Sequence, residues 1–366
     1  MRIAFSPTIF RIQSEGGISR YFYQLIRGII SKGHDVYVGD HAIRGKYLEL
    51  LLECNISSET KYERKVGTLF LDPRWPLTWN PKSLTKWKPD IIHETYYSTK
   101  WFTKDFKSTK KVLTVYDLIA EKYANTPLKR SYKSQALGLI DHAICISSTT
   151  QSDLINLYNF DFKKSSVIYL ADFPLPEITN TSLQESVKKY CPFFLYVGER
   201  RGYKNFDLLI NAFADFSRNN PSYELVAFGG GVFSNSELQM LSHKSLLKRV
   251  RQLSGDDELL SILYRSAEAL IYPSIMEGFG MPPIESITAG TPVISSKNSA
   301  TIEVLGPKNA LFFENNSVAD LRSQMEIISN HKYDILSMMQ RAKIRVKSYS
   351  WERCINETIK LYLSLL

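Results

Sequence analysis

Short apolar runs alternate with amphipathic stretches of helical period along this chain, and the rhythm stops once and begins again. From the N-terminus, "RIAFS" precedes "GGISRYFYQLIRGIISKG", then come "DVYVGD", "DIIHET", "KVLTVYDL", "HAICIS" and "SVIYL". Strands buried on both faces read as continuous apolar runs, and parallel neighbours need a crossover helix between them. After "VIYL" the proline-containing, polar "ADFPLPEITNTSLQESVKKYCP" reads as a linker followed by a short helix. The strand runs then resume with "FFLYVGE", "YELVAFGGG", "RVRQLS", "ALIYPS" and "TPVISS", separated by helical patterns such as "NFDLLINAFADFSRNN". The pattern predicts an α/β chain of two doubly wound, Rossmann-like domains, residues 1–172 and 190–349, with a last helix over 350–366. A length of 366 residues suits two cores better than one.

Composition narrows the function classes. Hydrophobic content of 44% and charged content of 23% are those of a globular protein. No apolar run approaches the roughly 20 residues that span a bilayer. "MRIAFSPTIF" reads as a first buried strand rather than a signal peptide, so a cytoplasmic location is expected. Cys54, Cys145, Cys191 and Cys354 form no C-x-x-C pair and are expected to be reduced core thiols. The net charge is +9, and between Lys61 and Lys111 there are 12 Lys/Arg against 5 Asp/Glu, together with Trp75, Trp79, Trp87 and Trp101. No nucleic-acid module is visible. A basic, Trp-rich segment then fits either a solvated face with core aromatics or contact with an anionic membrane surface, with Trp75, Trp79 and Trp87 expected in a loop.

In doubly wound sheets ligands sit at the carboxyl ends of strands, and the candidate residues fall there. "EGFGMPPIE" follows the strand "ALIYPS" and sets Glu277 and Glu285 around Gly278, Phe279 and Gly280, with Pro282 or Pro283 suited to the first helical position and Glu285 to the first turn. A carboxylate in a first turn often only complements the helix dipole. That leaves Glu277 and the two glycines unexplained. One carboxylate can bind a ribose diol and the other sugar hydroxyls, with the glycine amides open to a ligand. A diphosphate between them needs cations, and no Asp-x-Asp pair suggests a metal. Arg200, Arg201 and Lys204, between the strand "FFLYVGE" and a helix, can supply the charge, Arg in bidentate fashion and Lys as a point charge. Gly16 and Gly17 open a helix and can present amides to phosphate, although turn chemistry explains a glycine pair equally. Phe228 to Gly231 is a further flexible strand end. His93, and Tyr116 with Asp117, end strands in the first domain and are candidate acceptor or substrate ligands; a satisfied structural His explains His93 as well.

These segments together resemble the retaining glycosyltransferases of family 4, which have the GT-B fold, two Rossmann-like domains facing a cleft. The likeness runs through "GGISRY", "VYDLI", "AICISSTTQSDL", "YVGERRGYKNFDLLINAF", "ELLSILYRSAEALIYPSIMEGFGMPPIESITAGTPVISS" and "EVLGPKNALFF". It implies an N-terminal acceptor domain joined by the C-terminal helix, and a C-terminal nucleotide-sugar domain. It implies that Glu277 and the amides of Gly278, Phe279, Gly280 and Met281 hold the donor sugar, that Glu285 holds the ribose, and that Arg200 and Lys204 neutralise the diphosphate with Gly17 approaching. Where many members carry His in a T-x-H-D-L element, this chain has Tyr116. The implied reaction moves a hexose from GDP-mannose or a UDP-hexose to a hydroxyl of a growing, lipid-linked glycan in O-antigen or capsule synthesis. It proceeds with retention, without cofactor or metal, at the inner face of the cell membrane. Competing readings are a phosphorylase or epimerase on the same fold, a non-catalytic nucleotide or polysaccharide binder, and a dinucleotide oxidoreductase. The last lacks a G-x-G-x-x-G after either first strand.

Overall fold

The apolar runs become parallel strands in two separate sheets. The first contains β1 (Arg2–Phe5), β2 (Asp35–Val38), β3 (Leu69–Leu71), β4 (Ile91–Glu94), β5 (Lys110–Val115), β6 (His142–Cys145) and β7 (Ser165–Val167), in the order β3-β2-β1-β4-β5-β6-β7. The second contains β8 (Phe193–Val197), β9 (Glu224–Phe228), β10 (Val250–Leu253), β11 (Ala269–Tyr272), β12 (Val293–Ser296) and β13 (Leu311–Phe313), ordered β10-β9-β8-β11-β12-β13. All pairings are parallel, for example Phe5 with His93 and Phe194 with Ala269. This computed structural model describes residues 1–13, 16–38, 46–47, 49–51, 69–71, 81–102, 104–123, 127–330 and 334–366. The chain forms two compact units, Met1–Ala171 with Tyr349–Leu366, and Asp172–Ser348. Each is a doubly wound α/β layer structure whose strand order reverses once, between β1 and β4 and between β8 and β11. Those reversals open a crevice at the strands' carboxyl ends.

The helix Phe206–Asn219 shows why the pattern folds this way. Phe206, Leu209, Ile210, Phe213 and Phe216 are buried at three- and four-residue spacing, and that stripe faces the core. Each such side chain contributes about 1.5–3 kcal/mol by leaving water. The helix ends before Asn220, whose successor Pro221 disfavours helical backbone at the residue ahead of it. Residues 172–190 are less of a linker than their composition suggests. Ser261 Oγ donates to the Pro176 carbonyl at 3.1 Å, and Glu258 accepts from the amides of Thr179 and Asn180 at 2.6 and 2.8 Å. These contacts attach the segment to the second unit.

The helix Trp351–Leu365 packs in the first unit against the helix Gly17–Ser31. The axes come close at Gly28, where a Cβ would overlap the Ile355 side chain. Gly28→Ala is therefore expected to destabilise the protein by about 1–3 kcal/mol despite alanine's better helix propensity. Urea unfolding measures this, and an unchanged or raised midpoint would show that the helices separate freely.

Several expectations change. Trp87 ends a helix, Pro81–Trp87, rather than lying in a loop, and packs on the first unit's core beside Tyr37; Trp101 is buried in the same core. Trp75 and Trp79 lie outside the described residues, as do Cys54 and most of the basic window before Pro81. Cys145 and Cys354 are buried, but Cys191 is exposed in the turn ahead of β8, where the chain runs along the surface. Among the described residues no helix is long and apolar enough to cross a membrane.

Candidate functional site

The second unit's reversal gathers the loops after β8 and β11. β8 runs into Gly198, at φ 128°, and then through a 3-10 turn, Gly202–Lys204, to the helix at Phe206. The amide of Ile275, beyond β11, donates to the Tyr203 carbonyl at 2.8 Å and ties the two loops together. Lys204 and Glu277, 73 residues apart in sequence, meet there: Nζ lies 2.7 Å from Oε1, with side chains 20% and 9% exposed. The buried Tyr272 phenol lies beside the same carboxylate, and burial first, then Glu277, pushes its pKa far up. Lys204 Nζ also lies 5.6 Å from the centre of the Tyr272 ring. A cation, a carboxylate and a neutral phenol thus share one corner.

The turn Glu277–Gly280 leads into the helix Met281–Ala289. Gly278, Phe279 and Gly280 are buried, and Gly280 adopts φ 95°, a conformation that a side chain would strain. Met281 is the first helical residue, so Pro282 and Pro283 are second and third, and Glu285 is fifth. Glu285 therefore falls in the second turn rather than the first, one or two residues beyond where Pro282 or Pro283 at the first position puts it. The prolines still fit, because amides in a first turn lack intrahelical partners. Of the N-cap and first-turn positions, Gly280 and Met281 are the ones that keep an N–H. Glu285 accepts a hydrogen bond from Tyr264 at 2.9 Å. Burial, with Glu285 beside it, keeps that phenol protonated far above its ordinary range. Each glutamate thus has a core-rooted tyrosine beside it, and Tyr264 is hydrogen-bonded to Glu285.

Arg200 requires a correction. The phosphate role expected of it meets an occupied guanidinium, 6% exposed. Its Nε donates to Glu237 at 2.7 Å, Nη1 to the Gly229 carbonyl at 2.7 Å, and Nη2 to the carbonyls of Gly231 and Val232 at 2.9 and 3.1 Å. Gly229, Gly230 and Gly231 have φ of 86°, 67° and 72°, which turns their carbonyls onto the arginine; a Cβ on Gly230 would lie 2.7 Å from Nη1. Partial burial raises the Glu237 pKa, but Arg200 and the Ser234 amide outweigh it and hold the carboxyl below its usual range. Glu237 also closes a capping box with Ser234 at the helix Asn235–His243. The neighbouring Arg201 is exposed, and its side chain has no hydrogen bond or ion pair among the described residues. Sequence reasoning missed Glu237, although its S-x-x-E signature stands in "SNSE".

In the first unit Gly17 begins the helix Gly17–Ser31 and is exposed, with nothing within 4 Å of a Cβ built there. His93 is not positioned to bind a ligand. It is fully buried, its Nδ1 lies 2.5 Å from Tyr362 Oη and its Nε2 2.8 Å from Thr114 Oγ1, and burial drives its pKa down to about 3. Tyr116 is likewise a core residue, donating to the Thr95 carbonyl at 3.3 Å and packed by Tyr21 and Phe22. Asp117 is half-buried and accepts from the Ile119 amide at 3.2 Å. These three do not form a ligand cluster.

The residue beside His93 was overlooked. Glu94 ends β4 at the first sheet's reversal, fully buried; its Oε1 accepts from Ser6 Oγ at 2.6 Å and the Tyr96 amide at 3.1 Å, while Oε2 has no partner. Burial pushes its pKa up to about 7, against which those hydrogen bonds pull. A carboxylate closing an apolar strand was its signal. Because the folded state binds this proton more tightly than the unfolded chain, the Glu94 contribution to stability is full below about pH 4.5 and is lost as pH rises through 7. Glu94→Gln is expected to match the wild type at acid pH and to gain up to about 3 kcal/mol relative to it at pH 8. Paired unfolding curves at pH 5 and 8 measure this; a constant difference would show that Glu94 is ionised throughout.

Among the described residues no group of three or more His, Cys, Asp or Glu side chains is arranged to hold a metal ion. A family model described as Glycosyltransferase Family 4 matches residues 15–171, and one described as Glycosyl transferases group 1 matches residues 179–347. The chain is 32% identical over 203 residues to the O-antigen chain mannosyltransferase RfbU of Salmonella typhimurium, covering 53% of this chain and 54% of that one. It is 26% identical over 224 residues to the O-antigen chain mannosyltransferase B of Escherichia coli, covering 55% and 58%. The matched region thus spans little more than half the length of these relatives. The solved structure of Anabaena HepE in complex with UDP superposes with a TM-score of 0.74 at 15% identity, covering all of both chains, which shows the GT-B fold. The two family models meet where the two units divide, and the chain belongs to glycosyltransferase family 4.

Proposed function

We propose that this protein transfers a hexose from a nucleoside diphosphate sugar to a glycan hydroxyl, with GDP-mannose the first donor to test. The observation that carries the reading is the Lys204–Glu277 pair at the β8/β11 reversal, with Glu285 eight residues beyond Glu277. Lys204 supplies positive charge for the leaving diphosphate, and exposed Arg201 takes the supporting role that Arg200 is too engaged to fill. Glu277 accepts hydrogen bonds from the sugar hydroxyls, the Gly280 and Met281 amides face the donor, and Glu285 holds the ribose. As the glycosidic bond breaks, charge grows on the phosphate, where fixed cations in a dry site act most strongly. The acceptor hydroxyl attacks from the face the diphosphate leaves, its proton passing to that phosphate, so the anomeric configuration is retained. No divalent ion is needed.

The mannosyltransferase names of the relatives support mannose as the sugar and an O-antigen chain as the acceptor. Exposed Lys86 and Lys88 support contact with an anionic membrane surface, at about 1 kcal/mol for each basic residue near it. The test incubates purified protein with GDP-mannose or a UDP-hexose and detergent-dispersed lipid-linked glycan, with and without EDTA. Proton NMR then gives the anomeric configuration of the product. Inversion, or activity lost to EDTA and restored by Mg²⁺, would overturn the mechanism; hydrolysis and transfer absent with every donor would overturn the function.

A further inference from the structure

We propose that the Lys204–Glu277 ion pair makes the site select a nucleoside diphosphate that still carries its sugar over the bare nucleoside diphosphate. The inference rests on the donor reading above. The lysine available for phosphate is held at 2.7 Å by the carboxylate placed for sugar hydroxyls. The ammonium has three N–H donors but one charge, so a phosphate that engages Lys204 shares that charge with Glu277. The Glu277 side chain is only 9% exposed, so water screens it little, and a buried carboxylate that must share its counter-ion with a second anion is disfavoured. Tyr272, buried with its phenol neutral, is the other polar side chain beside it.

The two ligands then differ. A sugar nucleotide brings hydroxyl donors to Glu277 in the same step that its phosphate takes the lysine. A bare nucleoside diphosphate brings a second anion and no donor, leaving two negative groups facing each other across Lys204. After transfer, removal of the sugar would return Glu277 to the lysine and loosen the nucleotide's hold. The pair thus couples product departure to loss of the glycosyl group without any rearrangement of the fold.

Glu277→Gln separates these effects, because glutamine keeps the shape and can still hydrogen-bond sugar hydroxyls but does not neutralise Lys204. Titration calorimetry with GDP, UDP, GDP-mannose and UDP-glucose is the measurement, with thermal unfolding checking that the variant folds. In the variant, the bare nucleotide recognised by the wild type should bind about threefold to tenfold more tightly. Its sugar conjugate should bind more weakly, so that the ratio of the two affinities moves by at least about tenfold. Adding Lys204→Gln should abolish the gain for the bare nucleotide. Unchanged or weaker binding of GDP and UDP by Glu277→Gln would overturn the proposal while leaving the transferase reading intact. Failure of the wild type to bind any of the four would remove both.

Discussion

Lys204→Ala is expected to slow transfer by about two to three orders of magnitude while raising the donor KM much less. Ground-state binding spreads over the ribose, base and sugar contacts, so one lysine contributes modestly to it. The transition state concentrates new charge on the phosphate oxygens, and a single preorganised group stabilising such charge accounts for about 3–4 kcal/mol. The half-buried Lys204, held beside the Tyr272 ring and paired at 2.7 Å, is preorganised in this sense. Steady-state kinetics with saturating acceptor separate the two constants. A variant with normal kcat and a proportionately raised KM would make Lys204 a binding group only, and would shift the electrostatic role to Arg201.

Arg200→Ala should be the most damaging substitution to stability in the second unit. It leaves the carbonyls of Gly229, Gly231 and Val232 and the Glu237 carboxylate without their shared donor. Removing one partner from a buried charge network costs about 3–5 kcal/mol, which for a unit of this size lowers the melting temperature by on the order of 10 °C. Arg200→Lys should recover little of that, since one ammonium cannot serve a carboxylate and a row of carbonyls in divergent directions. Calorimetry of the three proteins is the check. A small loss in Arg200→Ala, together with a large loss of nucleotide affinity, would return Arg200 to the phosphate-binding role.

That pair of outcomes marks what can be read from sequence and what cannot. The alternation of apolar runs and the polar break at 172–190 carry the fold class, because strand burial and crossover helices leave periodic traces within a few residues. The placement of Lys204 and Glu277 after strands was visible for the same reason, since β8 and β11 announce themselves as "FFLYV" and "ALIY". Which of two adjacent arginines turns inward was not visible. It depends on the Gly229–Val232 carbonyls, 29 to 32 residues away, and on their positive φ angles. His93 was ambiguous on similar grounds, its partner Tyr362 lying 269 residues further on. The phase of Glu285 slipped by one or two residues because Gly280, and not a proline, sets where its helix begins. Local pattern reports burial and period; it is silent about which distant group satisfies a particular nitrogen.

The return of residues 349–366 to the first unit bears on how the protein is made. A ribosome delivers the chain from its N-terminus at about 5–20 residues per second, and domains ordinarily fold in the order they emerge. Here the second unit is continuous and can close once Ser348 is out, whereas the first cannot seat Ile355 over Gly28 or give His93 its Tyr362 hydroxyl until later still. The segment synthesised first is therefore the last to be completed, and it must wait with the apolar face of the helix Gly17–Ser31 uncovered through the translation of some 180 further residues. A nonsense mutation shortly after codon 348 would thus cripple the half of the protein made earliest and leave the half made just before the stop intact.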